Sequence, residues 1–342
     1  MAHRRRMPGM WRRLLATLAL ALAAPLARAD VPALLLPPSL GRPDRVWIAG
    51  RVLEERHGTR GPAAVRNARL LAAGDLEGAP VHASLLGRVG HAMSGDDGEF
   101  EIEIEAAPGA PFPSGELRAT VTVPGASAEA LVHVVPPEAP FLLISDFDDT
   151  VAVTGVTSVP RLVATTFLED GDTHPAVPGM AALYRCLASP RPGGAAPALA
   201  FVSGSPVQLA PRIGRFLARN GFPPAALYLR DLGPATLSGY KQPALARLAG
   251  RFRQPLVLVG DSGEKDPEIY AEFAAAHPGR VLATFIRQAT PAPGPPARFA
   301  AVRLFAEPAQ AGREAAALGL ADAACVALAF PGGAGSPRSP SP

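Results

Sequence analysis

The stretch that most constrains this chain is Phe141-Leu142-Leu143-Ile144-Ser145-Asp146-Phe147-Asp148-Asp149-Thr150, an apolar run that ends abruptly in acidic residues. A short run of this kind is typical of a buried parallel strand. Because residues two apart in an extended chain point the same way, Asp146 and Asp148 leave the strand end on one side. Two like charges so close are costly unless a cation or a shared proton relieves them. Alone, such a pair would usually indicate only an acidic turn.

A second apolar run also ends in carboxylates, and it changes that interpretation. Leu256 to Val259 leads through Gly260 into Asp261, and Asp266 follows five residues later. The carboxyl ends of parallel strands meet at one edge of a sheet, where ligands bind in open α/β folds. Oxygen ligands of this type suit Mg²⁺. The two strand ends together predict a Mg²⁺ site.

The first 29 residues have the pattern of a secretory signal peptide. A basic region with Arg4, Arg5 and Arg6 precedes an apolar run too short to span a bilayer comfortably, and Ala27-Arg28-Ala29 is typical of a cleavage site. We therefore expect export to the periplasm or the extracellular space. The alternative is an uncleaved membrane anchor.

The formal charge argues against a nucleic-acid partner once this leader is removed. The leader contains six arginines and no acidic residue, so its removal changes the net charge from +3 to −3. The two cysteines, Cys186 and Cys325, could form a disulfide in an exported chain. Cys186 lies in an apolar helical pattern, however, and a buried free thiol is an equally good interpretation.

Composition and periodicity divide the rest of the chain into two domains. Residues 30–44 are proline-rich and are predicted to be a linker. Residues 45–138 alternate between apolar and polar side chains, most clearly around Phe100, Ile102 and Ile104, and predict a small antiparallel β-sandwich-like domain. Within it, Val81–Gly90 is predicted to be one strand, and Ser94–Gly98 a turn with the Asp-Gly signal of a hairpin.

Residues 139–330 alternate strands with helices and predict an α/β domain with a parallel sheet. Its predicted strands include Leu256–Asp261 and Val281–Arg287, and Ala309–Leu328 is predicted to be helical. Residues 331–342 contain mainly Gly, Ser and Pro and are predicted to be disordered.

Four groups of residues carry a specific resemblance: Asp146 with Asp148, Ser203, Lys241, and Asp261 with Asp266. Their order resembles that of the four motifs of the haloacid dehalogenase superfamily. The chain is more closely similar to the actin-patch phosphatidate phosphatase catalytic-domain family, whose pattern is matched by Ser145-Asp146-Phe147-Asp148-Asp149-Thr150, Val202-Ser203-Gly204-Ser205-Pro206, Tyr228-Leu229-Arg230-Asp231 and Gly260-Asp261-Ser262-Gly263-Glu264-Lys265-Asp266-Pro267-Glu268-Ile269-Tyr270. The resemblance covers about residues 141–287. Val207 and Glu264 depart from the family pattern, which often has an aromatic residue and Gln at these positions.

The resemblance implies a Rossmann-like haloacid dehalogenase fold and a role for each motif residue. Asp146 would be the nucleophile that forms an aspartyl-phosphate, and Asp148 would be the general acid and base. Ser203 and the Gly204 amide would bind phosphoryl oxygens at a helix start. Mg²⁺ would be held by Asp146, Asp261 and the carbonyl group of Asp148, with Asp266 ordering its water shell. Asp266 could also cap the helix that begins near Pro267.

Lys241 has support from the chain's own composition. Of the 33 lysines and arginines, only Lys241 and Lys265 are lysines. A compact ammonium group is suited to contact a transferring phosphoryl group, so we predict this role for Lys241. The alternative is a solvated lysine at the start of a helix.

The expected activity is that of a phosphoric monoester hydrolase, and the substrate implied by the resemblance is phosphatidate, which would give diacylglycerol. The spacing between the motifs leaves no room for a cap domain, only for a short lid at 160–168. An open site suits a phosphate carried on a lipid, with peripheral contact to a membrane. The same motifs serve other phosphate esters, including phosphoproteins and small metabolites, and a non-catalytic envelope binding module is a further alternative.

Overall fold

A computed structural model describes residues 32–54, 74–153, 175–191, 193–230, 237–289 and 296–331. The predicted signal peptide, the predicted lid at 160–168 and residues 332–342 of the predicted tail lie outside these ranges. The described chain combines an antiparallel sheet with a parallel one, as the alternation of apolar residues predicts. None of its described helices is both long and apolar enough to cross a membrane.

The first sheet has eight strands among the described residues, in the order β1-β3-β2-β8-β7-β4-β5, with β6 paired to β3. The strands are β1 (Ala33–Leu35), β2 (Ser39–Arg42), β3 (Arg45–Leu53), β4 (Pro80–Leu85), β5 (Arg88–Met93), β6 (Glu99–Glu105), β7 (Gly115–Val123) and β8 (Ala126–Val134). Most pairs are antiparallel, and β2 and β8 are parallel. Alternate residues face one core, for example Ile48, Val81, Ile102 and Val121, while the glutamates of β6 are exposed.

Two predictions for this region are wrong. The segment 30–44 is not a linker throughout, because its leucines place β1 and β2 in the sheet, and the prolines at 37 and 38 only separate these strands. The single strand predicted for Val81–Gly90 is the hairpin of β4 and β5. It turns at Leu86-Gly87, where both residues have positive φ, and this geometry matches the twist of a two-residue hairpin.

The second sheet has six described strands in the order β11-β10-β9-β12-β13-β14, and every pair in it is parallel. These strands are β9 (Leu142–Ser145), β10 (Ala198–Pro206), β11 (Ala226–Arg230), β12 (Leu256–Asp261), β13 (Val281–Arg287) and β14 (Arg303–Phe305). β9 and β12 lie at the centre and are buried at every position, which explains their uninterrupted apolar sequences.

Helices cover both faces of the parallel sheet. They are α1 (Met180–Leu187), α2 (Ala210–Arg219), α3 (Leu237–Arg251), α4 (Asp266–Ala276), α5 (Pro308–Ala317) and α6 (Ala323–Ala329). The continuous helix predicted for Ala309–Leu328 is wrong. It is divided between α5 and α6 at Gly319, whose φ of 68° is the left-handed conformation that glycine adopts at helix ends.

The two cysteines form a disulfide, which decides between the alternatives left open by the sequence. Cys186 on α1 bonds to Cys325 on α6, across a sequence separation of 139 residues. The bond joins the last described helix to the first described helix of the α/β region.

The two sheets are joined by a packed interface. The Trp47 ring of β3 meets the Phe252 ring edge-on with centroids 6.0 Å apart, and the Arg251 guanidinium lies 4.5 Å from the Trp47 ring centre. Arg251 also forms an ion pair with Glu101. The main chain contributes as well, since the Leu227 amide donates to the Pro38 carbonyl group over 2.8 Å. The segment before β2 therefore lies along the edge of the parallel sheet.

Candidate active site

The predicted site residues meet at the C-terminal edge of the parallel sheet. Asp146 follows β9, Ser203 lies in β10, and Asp261 ends β12. Because Ser145 is in register with Phe201 on one side and Val259 on the other, these three strand ends are adjacent. The Asp146 amide donates to the Val259 carbonyl group over 2.9 Å, which fixes the chain where it leaves β9.

Lys241 occupies the centre of the cluster and is fully buried. Its Nζ lies 2.9 Å from Asp146 Oδ1, 2.5 Å from Asp266 Oδ1 and 3.7 Å from Glu264 Oε2. Burial alone would lower the pKa of Lys241, but the carboxylates of Asp146 and Asp266 raise it well above its usual range. Lys241 is therefore a permanent cation beside Asp146. This placement differs from that of a solvated lysine.

Asp148 lies in a different environment from Asp146. Its Oδ2 accepts hydrogen bonds from Ser205 Oγ at 2.7 Å and from Ser203 Oγ at 3.0 Å. Burial raises the pKa of Asp148, while the two hydroxyl groups act in the opposite direction. A raised pKa and hydroxyl partners suit a group that holds and transfers a proton.

The Ser203-Gly204-Ser205 segment differs from its predicted form. It is the end of β10, which continues to Pro206 with a bulge between Ser203 and Pro206. A 3-10 turn at Val207–Leu209 follows, and α2 begins only at Ala210. The helix start predicted beside Gly204 is therefore several residues further on. Ser203 does lie beside Asp148, and the half-buried Gly204 follows it directly.

Three carboxylates form a group that could hold a cation. One oxygen from each of Asp146, Asp261 and Asp266 lies within 4.8 Å of the others, and all three residues are buried. Asp146 Oδ2 and Asp261 Oδ2 accept no hydrogen bond from the part of the chain that the structure describes. Buried carboxylate oxygens of this kind, on an all-oxygen donor set, fit Mg²⁺.

The pKa shifts of Asp146 and Asp261 have the same main cause, which is burial. Burial raises the pKa of Asp146 well above its ordinary value, although Lys241 acts in the opposite direction. Burial, reinforced by the charge of Asp266, also raises the pKa of Asp261 to about 8. A divalent cation would relieve this repulsion.

The Asp148 carbonyl group, a predicted ligand of the cation, accepts a hydrogen bond from the Thr150 amide at 2.6 Å and keeps a second lone pair. One detail of the prediction for Asp266 is different in the structure. Asp266 does not cap α4, because it is the first residue of that helix and Lys265 occupies the cap position. Its carboxylate instead contacts Lys241 and accepts a hydrogen bond from the Asp261 amide at 3.3 Å.

Sequence reasoning missed several residues that touch the site. Ser205 was part of the quoted motif, so its place beside Asp148 could have been inferred from the alternation along an extended strand. Tyr184 of α1 lies 2.5 Å from the Ser145 hydroxyl, directly before Asp146, and no motif indicates it. The predicted lid at 160–168 cannot be placed, since it lies outside the described residues.

Comparisons with known proteins agree with this arrangement. Residues 141–288 match the family described as "Phosphatidate phosphatase APP1, catalytic domain". The yeast protein Phosphatidate phosphatase APP1 from Saccharomyces cerevisiae is 31% identical over 154 residues, which is 42% of this chain and 25% of that protein. An uncharacterised protein from Schizosaccharomyces pombe is 36% identical over 154 residues, which is 42% of this chain and 24% of its own length.

The chain thus spans about a quarter of the length of these curated relatives. Among solved structures, a carbohydrate acetylesterase from Xanthomonas citri aligns with a TM-score of 0.29 and 12% identity over 75% of this chain and 60% of that chain. That similarity is too low to support an argument about the fold. The motif residues all lie inside residues 141–288, the region that matches the catalytic-domain family of phosphatidate phosphatase APP1.

Proposed function

We propose that this protein is an exported, Mg²⁺-dependent phosphatase that acts through an aspartyl-phosphate on Asp146 and hydrolyses phosphatidate to diacylglycerol and phosphate. The observation that carries the proposal is the buried Lys241 ammonium group, 2.9 Å from Asp146 and 2.5 Å from Asp266. A cation held beside a carboxylate at a strand end is suited to receive a phosphoryl group. The strand order of the parallel sheet supports a haloacid dehalogenase type of fold.

Asp146, Asp261 and Asp266 would hold the cation. Bound Mg²⁺ would neutralise the phosphoryl oxygens and so allow an anionic nucleophile to approach them. Lys241, together with the bound cation, would favour the ionised form of Asp146 against the effect of burial, and it would bind a non-bridging phosphoryl oxygen. Its burial makes this charge effective, because little water screens it.

In the first step, an Asp146 carboxylate oxygen would form a bond to phosphorus while the bond from phosphorus to the leaving oxygen breaks. Asp148 would protonate that oxygen, and its raised pKa makes it a competent acid. In the second step, Asp148 would remove a proton from water as the water attacks phosphorus. The bond between phosphorus and Asp146 then breaks, and phosphate is released.

The lipid substrate is proposed from the similarity to phosphatidate phosphatase APP1 and from the absence of a cap domain among the described residues. Between Ser203 and Lys241 these residues form only the 3-10 turn, α2, β11 and the start of α3. A site covered by so little chain suits a phosphate that projects from a membrane surface.

Export is proposed from the signal-like leader, and the Cys186–Cys325 bond supports it. Disulfides persist in oxidising compartments and are uncommon in reducing ones.

The experiment is phosphate release by the purified protein from a panel of substrates, with Mg²⁺ and with EDTA. The panel contains phosphatidate in vesicles, lysophosphatidate, sugar phosphates and phosphopeptides. We expect the highest kcat/KM with phosphatidate and no turnover in EDTA. A higher kcat/KM with a soluble ester would contradict the lipid assignment, and no turnover on any member would favour the non-catalytic binding module.

A further inference from the structure

Two arginines that the motifs do not include hold the main chain of the two carboxylate-bearing loops. The first is Arg287, which ends β13 and is in register with Asp261. Its Nε donates to the Asp149 carbonyl oxygen over 2.7 Å, and a second guanidinium nitrogen donates to the same oxygen. Asp149 follows the proposed acid Asp148 directly, so this contact acts on the loop that carries Asp146 and Asp148.

That loop has a conformation that needs external support. Asp149 has a φ of 47°, and Leu86 is the only other non-glycine residue with positive φ in the described ranges. A non-glycine residue rarely adopts this left-handed conformation unless its surroundings impose it. The forked contact from Arg287 to its carbonyl oxygen provides such a constraint.

The second arginine, Arg298, lies after the family match ends at residue 288. Its guanidinium donates to the Ser262 carbonyl oxygen over 2.6 Å and also to the Glu264 carbonyl oxygen. It pairs with Glu268 on α4 through two nitrogens, at 2.5 and 3.1 Å. The Arg298 guanidinium group therefore donates to two carbonyl groups of the loop from Asp261 to Asp266. It also joins this loop to α4, the helix that follows.

The two arginine contacts are linked through β13. The Ser262 amide donates to the Arg287 carbonyl group over 2.9 Å, and the Ala289 amide donates to Ser262 Oγ over 3.0 Å. Asp146 and Asp261 are far apart in sequence and must nevertheless present oxygens within 4.8 Å of each other. Hydrogen bonds from a charged guanidinium are stronger and more directional than neutral ones, so they can set this separation.

We propose that Arg287 and Arg298 are positioning residues that hold the loops of Asp146–Asp148 and Asp261–Asp266 at the separation needed for cation binding and phosphoryl transfer. The proposal rests on the proposed function. Neither arginine is assigned a contact with substrate or cation. Lysine would retain the charge but not the planar, forked donor geometry of the guanidinium group. Arg→Lys should therefore reduce kcat and Mg²⁺ affinity almost as much as Arg→Gln.

The test uses the full-length protein and five variants: R287Q, R287K, R298Q, R298K and the control R303Q. The control removes an arginine of β14 that forms an ion pair with Glu314 at 2.5 Å and lies outside both loops. Three quantities are measured: kcat and KM on a chromogenic phosphate ester, the Mg²⁺ affinity by calorimetry without substrate, and hydrogen exchange of the two loops. We expect kcat and Mg²⁺ affinity to fall by about tenfold or more in the four variants of Arg287 and Arg298, with KM nearly unchanged. In the control R303Q we expect neither kcat nor Mg²⁺ affinity to fall.

Hydrogen exchange separates failure of this proposal from failure of the proposed function. Its expected result is faster exchange at residues 146–150 in the Arg287 variants and at 261–266 in the Arg298 variants, with no change in R303Q. The proposal is overturned if both loops exchange as in the wild type. It is also overturned if every variant is destabilised globally to the same extent as R303Q and neither loop shows a further increase in exchange. If the wild type hydrolyses no phosphate ester, the proposed function fails, and the exchange data still decide whether the arginines hold the loops. If a Gln variant does not fold, the Lys variant at that position supplies the same comparison.

Discussion

At the scale of single residues, the site is a cluster of charges whose balance depends on Lys241. Three carboxyl groups, those of Asp146, Glu264 and Asp266, form ion pairs with its buried ammonium group, and Asp261 lies close to two of them. Buried charges are tolerated when they are paired, and removing one partner is costly. The arrangement therefore contributes more to function than to stability.

The two lysines of the chain provide a matched pair for testing this view. Lys241→Met should reduce kcat/KM by roughly a thousandfold, because the carboxylates lose their counter-charge and the phosphoryl group loses a ligand. The measurement is steady-state kinetics together with thermal unfolding. Lys265→Met is the control, since Lys265 lies in the Asp261–Asp266 loop directly before α4 and forms no ion pair with the carboxylate cluster among the described residues. Its kcat/KM should stay within about twofold of the wild type. Equal losses in both variants would show that Lys241 has no special role.

Glu264 makes a second residue-scale prediction because it departs from the family pattern. Its carboxylate lies 3.7 Å from Lys241 Nζ and, under the proposed mechanism, would compete with a bound phosphoryl group for that charge. Glu264→Gln should therefore lower KM by about threefold with little change in kcat, the size of effect expected for one partly exposed ion pair. KM values for the two proteins at pH 7.5 are the measurement. An unchanged or higher KM would mean that Glu264 does not oppose substrate binding.

Much of the site could be predicted from residues alone because its chemistry is encoded in short stretches. Asp146, Ser203 and Asp261 each end or follow an apolar run, and parallel strands bring such ends together whatever the loops between them do. Lys241 was identified from its motif and from the rarity of lysine. Arg298 could not be predicted, because its contacts are to carbonyl groups, which every residue possesses. Tyr184 also gave no signal, since an apolar helix contains such residues for packing.

At the scale of elements, the strands of the parallel sheet matched their predictions more closely than the β-domain did. Strands β12 and β13 begin and end at the predicted residues. β12 is buried at every position, and β13 is buried over its four central residues, 283–286. The hairpin of β4 and β5 was missed because Leu86 occupies a turn position that usually requires Gly or Asn. The Ser94–Gly98 turn was predicted to form a hairpin, but β6 pairs with β3, which is distant in sequence.

The disulfide between α1 and α6 is predicted to stabilise the fold without affecting the chemistry. It joins residues 139 apart, and replacing both cysteines with Ala should lower the free energy of unfolding by about 2–4 kcal/mol. Denaturant unfolding of the double variant, with kinetics alongside, is the measurement. A reduced wild-type protein should behave like the variant. A large fall in kcat with unchanged stability would contradict this separation of roles.

At the scale of the whole molecule, the two sheets form a continuous structure through the junction at Trp47, Arg251 and Phe252. Leu40 and Trp47 of the antiparallel sheet belong to the same buried cluster as Leu142 and Leu258 of the parallel sheet. The antiparallel sheet is thus anchored beside the strands that carry the site. Sequence alone could not show this, because the proline-rich segment before Ser39 resembles a linker.

His133 makes the junction sensitive to acid. Burial of this side chain, which lies against the main chain of Ala225, lowers its pKa below the usual value. The unfolded chain therefore binds a proton more readily, so this contribution to stability is complete above about pH 6.5 and is lost as the pH falls below it. The free energy of unfolding should fall more between pH 7.5 and 5.5 in the wild type than in His133→Gln. The exposed His91, changed to Gln, should leave the wild-type dependence intact.

The central claim, that Asp146 is the nucleophile, is tested most directly by trapping the phosphorylated enzyme. The protein is mixed with phosphatidate vesicles and Mg²⁺, quenched in acid within milliseconds, digested and analysed by mass spectrometry. The account predicts a phosphoryl group on Asp146 in the wild type. It predicts none in Asp146→Asn, whose turnover should be lower by several orders of magnitude while its fold is retained. Substantial turnover by Asp146→Asn, or a phosphoryl group on another residue of the wild type, would contradict it.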